Sequence, residues 1–164
     1  MKKLILFFVF ISFFVSGQKS CCQYATVPKT EDLKTTGKFE LTVKNTGDES
    51  FKVPKEINFC NMRMVDFEVF NDETQLFEKV KRTENDVDCF TNRHRLKRIK
   101  PNKTHTYQVN LKSYFEVIWS EHFFEKFNNR KYRFKISFAF NDDQNRGENL
   151  LTGWITKTDG ILSN

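Results

Sequence analysis

The ten residues KYRFKISFAF, 131 to 140, constrain this chain more than any other stretch. Tyr132, Phe134, Ile136, Phe138 and Phe140 alternate with Arg133, Lys135, Ser137 and Ala139. Successive side chains of a strand point to opposite faces, so this period of two makes one apolar face and one wet face. A helix would scatter the same apolar residues around its circumference. The stretch is therefore a half-buried strand, and such a strand needs partners beside it and a layer over it.

The same period recurs along the chain. KFELTVKN (38–45) puts Phe39, Leu41 and Val43 on one face, and THTYQVNL (104–111) does the same with Tyr107, Val109 and Leu111. Residues 64–70 set Val65, Phe67 and Val69 against Asp66 and Glu68, and LFEKVK follows as a partner strand across the turn NDET. FKVP is a short strand stopped by Pro54, NTGDES is a turn around Gly47, and GWITKT closes the series. One segment breaks the pattern. In YFEVIWSEHFFEKF (114–127), Phe115, Ile118, Trp119, Phe123 and Phe127 stand at spacings of one or two helical turns. It reads as one short helix or packed loop capping an open end. Six to eight short strands without a repeating strand-helix-strand unit predict an all-β chain folded as an antiparallel sandwich.

The front of the chain is different in kind. MKK precedes the uncharged run LILFFVFISFFV, which at twelve residues is shorter than the roughly 20 needed to cross a bilayer as a helix. A basic start, a short apolar run and small residues after it are the parts of a secretory signal peptide, expected over 1–17 with a cut between Gly17 and Gln18. An uncleaved anchor is the competing view. The net charge is +6, and removing residues 1–17 takes two lysines and no acids, leaving +4. Fourteen of the nineteen phenylalanines stay in the remaining chain, enough to drive a core without any cofactor. The expected layout is a polar segment over 18–36 that is a tether or an edge strand, the sandwich over 37–159 and a tail over 160–164. The expected location is secreted or periplasmic.

Four cysteines in an exported chain read as oxidisable pairs. Cys60 and Cys89 lie in the patterned region and are expected to pair. Cys21 and Cys22 are adjacent in a polar stretch, and adjacent cysteines seldom bridge one another; pairing between chains or exchange with the other two stays open. Lipidation of Cys21 would make the protein an envelope lipoprotein, but Lys19 fits the lipidation pattern badly. A zinc site would ordinarily show a CxxC knuckle, which is absent here.

IKPNKTHTYQVNLKSYF (99–115), NRKYRFKISF (129–138) and TGWITKT (152–158) together resemble small exported immunoglobulin-like domains of bacteria. Their layout is also similar to proteinase-inhibitor-like immunoglobulin folds and to the pro-segments of some secreted metalloproteases. The resemblance covers roughly residues 39–158 and implies a sandwich fold, with only a weak implication for function. Two departures stand out. Arg130 occupies the tyrosine-corner glycine position before Tyr132, and Phe134 stands where an antibody-type domain has its second cysteine. A Cys60–Cys89 bridge is therefore expected to tie a loop to a strand instead of joining two sheets.

Few residues offer chemistry. Asp86, Asp88, Cys89 and His94 could be read as a nucleophile and its base, but a catalytic thiol has to stay reduced. Glu121, His122 and Glu125 supply only half of a carboxylate metal site. Asp143, Asn145, Gly147 and Glu148 have calcium-loop spacing, with Arg146 carrying the wrong charge among them. His105, between threonines, is expected to face outward. No catalytic residue, metal ligand or cofactor is assigned.

The densest basic cluster is RHRLKRIK plus the following turn: Arg93, Arg95, Lys97, Arg98, Lys100 and Lys103. It lacks the interleaved aromatics of a single-strand nucleic-acid platform. The expectation is a non-enzymatic binding or inhibitor-type module that recognises another macromolecule, a protein or an anionic envelope polymer, through this basic edge. Membrane contact is expected only during export or through a lipid on Cys21. The alternative is an envelope-attached structural accessory protein, with a hydrolase third.

Overall fold

A computed structural model describes residues 23–81, 83–89, 95–139 and 149–157. The described chain runs β1 (Tyr24–Lys29), α1 (Leu33–Thr36), β2 (Lys38–Asn45), β3 (Phe51–Pro54), β4 (Met62–Asn71), β5 (Leu76–Lys79) and β6 (Leu96–Ile99). It continues through β7 (Thr104–Asn110), α2 (Leu111–Ile118), α3 (Phe123–Phe127), β8 (Tyr132–Ala139), β9 (Asn149–Leu151) and β10 (Ile155–Lys157). Strand pairs are antiparallel throughout. One sheet has the order β1-β2-β7, a second has β10-β8-β4-β5, and β3 with β6 forms a separate ribbon. The chain is mostly antiparallel β, as its alternation predicted.

Alternation becomes packing where the two sheets meet. Phe39 of β2 meets Phe134 of β8 with ring centroids 5.6 Å apart, and Tyr107 of β7 meets Phe138 at 5.2 Å. Phe67 of β4 is the hub of an aromatic cluster, within 5.1 to 5.5 Å of Phe115, Trp119, Phe127 and Tyr132. Most of these pairs are edge-to-face, the arrangement that the ring quadrupoles favour.

The outer edge of β8 is shared by two short strands. β10 pairs with Tyr132–Phe134 and β9 with 137–139. Between them Thr152 covers the gap: its N–H donates to the Ile136 carbonyl at 3.0 Å, and its hydroxyl accepts from the Ile136 N–H at 3.1 Å. The edge stays hydrogen-bonded although the strand is broken.

Several expectations need correcting. Val65 does not join Phe67 and Val69 on the core face. A register shift between Met64 and Asp66 resets the alternation, so Met64 is buried and Val65 is 45% exposed. The expected single helix or packed loop at 114–127 is two helices, and the first begins earlier, at Leu111. Asn110 ends the strand pattern because its side chain caps α2, accepting from the Ser113 N–H at 2.9 Å. Leu111, Tyr114, Phe115 and Ile118 then form the buried face of α2. Part of the polar segment 18–36 is the edge strand β1, one of the two forms expected for it, and the single turn α1 follows. Gly37 closes α1 at φ 67°, and a Cβ there would stand 2.6 Å from the Lys112 Cβ, so only glycine lets the two helices meet.

Cys60 and Cys89 form a disulfide with their Cα atoms 5.5 Å apart. It joins the turn before β4 to the loop 83–89, so the pairing is as expected but ties a loop to a turn and not to a strand. The same loop is strapped over α2. The Asn85 N–H donates to the Ile118 carbonyl at 2.7 Å, and Glu84 accepts from the Tyr114 hydroxyl at 2.8 Å.

Candidate functional site

The basic cluster becomes a structural object through β3 and β6. Their register sets Phe51 against Ile99, Lys52 against Arg98, Val53 against Lys97 and Pro54 against Leu96. Phe51, Val53 and Ile99 are buried and hold the ribbon to the core. Polar anchors fix its far end. The Tyr107 hydroxyl donates to the Pro54 carbonyl and the His105 ring Nε2 to the Lys55 carbonyl, both at 2.8 Å. The Lys55 N–H in turn donates to the Arg95 carbonyl at 2.7 Å. His105 thus does not face outward: it shares the inner side of β7 with Tyr107, and the two rings stack edge-on at 4.6 Å.

Asn45 organises the near end. Its side chain is fully buried, donating to the carbonyls of Ile99 at 3.0 Å and Glu49 at 2.7 Å while accepting from the Gly47 N–H at 2.9 Å. Its backbone bonds the next turn, donating to the Lys103 carbonyl and accepting from the Asn102 N–H, both at 3.0 Å. That turn, Lys100-Pro101-Asn102-Lys103, is closed by a 3.0 Å bond from the Lys103 N–H to the Lys100 carbonyl. Asn102 sits at φ 60°, a left-handed position that asparagine tolerates in a type II turn after proline. Lys100 and Lys103 are held at the two ends of a rigid turn.

Arg95, Lys97, Arg98, Lys100 and Lys103 are all exposed along this ribbon and turn, while Arg93 lies outside the described residues. The structure adds three cations that were missed: half-buried Lys52 directly across from Arg98, and exposed Lys55 and Lys44. Lys52 and Arg98 are 46 positions apart, so only strand register could have joined them. Leu96, 45% exposed, is an apolar side chain set among these charges.

Several cations elsewhere on the described surface have an acid or a ring beside them. Ion pairs join Lys29 to Glu40, Lys79 and Lys135 to Asp66, Lys112 to Glu116, Lys126 to Glu121 and Arg133 to Glu68. On the outer face of β8, the Arg133 guanidinium lies 4.3 Å from the Phe77 ring centroid and 4.4 Å from that of Trp154, and Lys135 caps Trp154 at 4.4 Å. Among the described residues, none of these pairs or stacks includes a cation of the ribbon. Lys52 and Arg98 therefore face each other with no acid between them, an unfavourable cross-strand pair.

Other candidates resolve simply. Cys89 is half of the disulfide and supplies no thiolate. Glu121 pairs with Lys126, and His122 stands just ahead of α3. No three His, Cys, Asp or Glu side chains converge on a metal-sized site among the described residues. His94, Cys21, Cys22 and the calcium-like loop 141–148 lie outside those residues. Burial pushes the hydroxyls of Tyr107, Tyr114 and Tyr132 above the usual phenol range. No protein-family model matches this chain, and no curated protein matches it either.

Proposed function

We propose that the chain is an exported, non-catalytic binding module with an immunoglobulin-like sandwich, which recognises a large anionic partner through the ribbon β3–β6 and the turn after it. The strand orders support the fold reading. β1-β2-β7 and β10-β8-β4-β5 correspond to A-B-E and G-F-C-C′ of that architecture, with the ribbon standing where its D strand would be. The leader-like front and the disulfide support export.

One observation carries the binding reading. The ribbon gathers exposed cations with no ion pair among the described residues, and sets two of them directly opposite, whereas several cations elsewhere, Lys29, Lys112 and Arg133 among them, are paired or stacked. An open ridge suits an extended partner better than a small anion, which would want an enclosing cage. Charges at the rim of an interface mainly raise the association rate and its salt sensitivity. Reversing Arg95, Lys97 and Lys100 to glutamate should slow capture of material from a native envelope preparation, most at low ionic strength. A folded triple variant with an unchanged capture rate and salt dependence would refute the reading.

A further inference from the structure

We infer that the anion met by this end of the fold is the headgroup layer of an anionic bilayer, and that the module sits with its basic turn and the start of β1 against the membrane surface. The inference rests on the ribbon being an anion-binding surface, and it names the anion.

The observation behind it is where the chain leaves the fold. Whatever precedes Gln23 joins the described structure at that residue, whose carbonyl accepts from the Thr46 N–H at 3.0 Å. Asn45, one residue earlier, is bonded on its other side to Ile99, Asn102 and Lys103. Gln23 and the turn carrying Lys100 and Lys103 are thus separated by one strand, roughly 10 Å at ordinary strand spacing. The segment that leaves there contains the apolar run of residues 4–15 and Cys21. A membrane hold on residues 1–22, whether by the uncut apolar run or by a lipid on Cys21, would act on the fold through Gln23.

Charge along the fold agrees with that orientation. At the Gln23 end stand Lys44, Lys52, Arg98, Lys100 and Lys103, five cations against the two acids Asp48 and Glu49 of the turn before β3. At the opposite end of β2, Lys29 and Lys38 line a cavity together with Glu31, Asp32 and Glu40, so cations there are matched by acids. β2 is eight residues long, which separates the two ends by roughly 25 Å. That is about three Debye lengths in physiological salt, so a surface touching one end is invisible to charges at the other. Basic residues beside a membrane segment are attracted by anionic headgroups in this way.

The test compares two charge reversals of equal size in the full chain. R98E/K100E acts at the Gln23 end, and K34E/K38E acts at the far end, where both lysines are also exposed. Binding is measured by co-sedimentation with phosphatidylcholine vesicles and with vesicles of one part phosphatidylglycerol to two parts phosphatidylcholine. The ratio between the two removes any contribution of the apolar segment. The native chain should prefer the anionic vesicles, R98E/K100E should lose at least about 30-fold of that preference, and K34E/K38E should keep it. No preference in the native chain, or equal losses in both variants, overturns the membrane orientation. Envelope capture that still depends on the ribbon while vesicle preference is absent would leave the binding reading intact and make the partner a protein or polymer. Loss of dependence in both assays would remove both.

Discussion

Arg98→Glu should make this protein more stable while making it a poorer binder. Lys52 and Arg98 face each other across the two-stranded ribbon, and among the described residues neither has an acid to pair with. A directly opposed cross-strand pair contributes roughly 0.2–1 kcal/mol, favourable for unlike charges and unfavourable for like ones. Turning repulsion into attraction applies that amount twice, so a net gain of about 1 kcal/mol is expected, or about 3 °C in Tm for a domain of this size. Urea denaturation of the native chain, K52A, R98A and the double variant isolates the pair from any packing that the long arginine stem provides. The coupling energy should show repulsion in the native chain and should shrink as salt rises. If R98E is less stable than the native chain and the cycle gives no repulsive coupling at low salt, the two charges splay apart. The claim that the ribbon gives up stability to keep them together then fails.

Three further outcomes follow from the packing. Replacing both Cys60 and Cys89 by serine should cost about 3.6 kcal/mol in the chain-entropy account of a loop spanning 29 positions, read from chemical denaturation. Phe67→Ala empties the centre of the aromatic cluster and should cost about 3–5 kcal/mol, with an unchanged Cys60–Cys89 peptide in non-reducing mapping showing that the fold is retained. Tyr107, Tyr114 and Tyr132 are held protonated by burial, so their contribution is complete below about pH 10, the phenol value of the unfolded chain. As pH climbs from there toward their raised folded values, the unfolded state loses protons that the fold retains, and stability falls by up to about 4 kcal/mol per pH unit. Tyr132→Phe should reduce that slope by about a third.

Strands buried on one face were readable because burial writes itself into alternation. β2, β7 and β8 each carry their core residues at every second position, and no tertiary knowledge is needed to see it. β4 was readable only as far as its bulge, since one extra residue at Met64–Asp66 moves Val65 to the wet side. β6 left no trace of this kind. It is exposed at Leu96, Lys97 and Arg98 and buried only at Ile99, because its single neighbour is β3 and no second layer covers most of it. The cations of the site were legible as composition, and the disulfide as a pairing of the two cysteines that lie within the patterned region. The opposition of Lys52 to Arg98, the turn locked by Asn45 and the inward turn of His105 all depend on contacts between distant segments, which no local period records.

The N-terminal strand is finished by the other end of the chain. The Tyr24 hydroxyl both donates to the carbonyl of Leu151 at 3.2 Å and accepts from its N–H at 3.0 Å, across a separation of 127 residues. β1 can pair with β2 early, but this latch cannot close until β9 is in place beside β8. Contacts of such long range come late and slow the overall rate of folding. Until then the outer edge of β2 is guarded only by a strand whose first residue is unfastened, and an unguarded edge invites pairing with another chain. The hazard lies in the interval before β9 is set beside β8, which under the proposed export would follow the crossing of the membrane. A Tyr24→Phe chain should lengthen that interval and aggregate more readily during refolding.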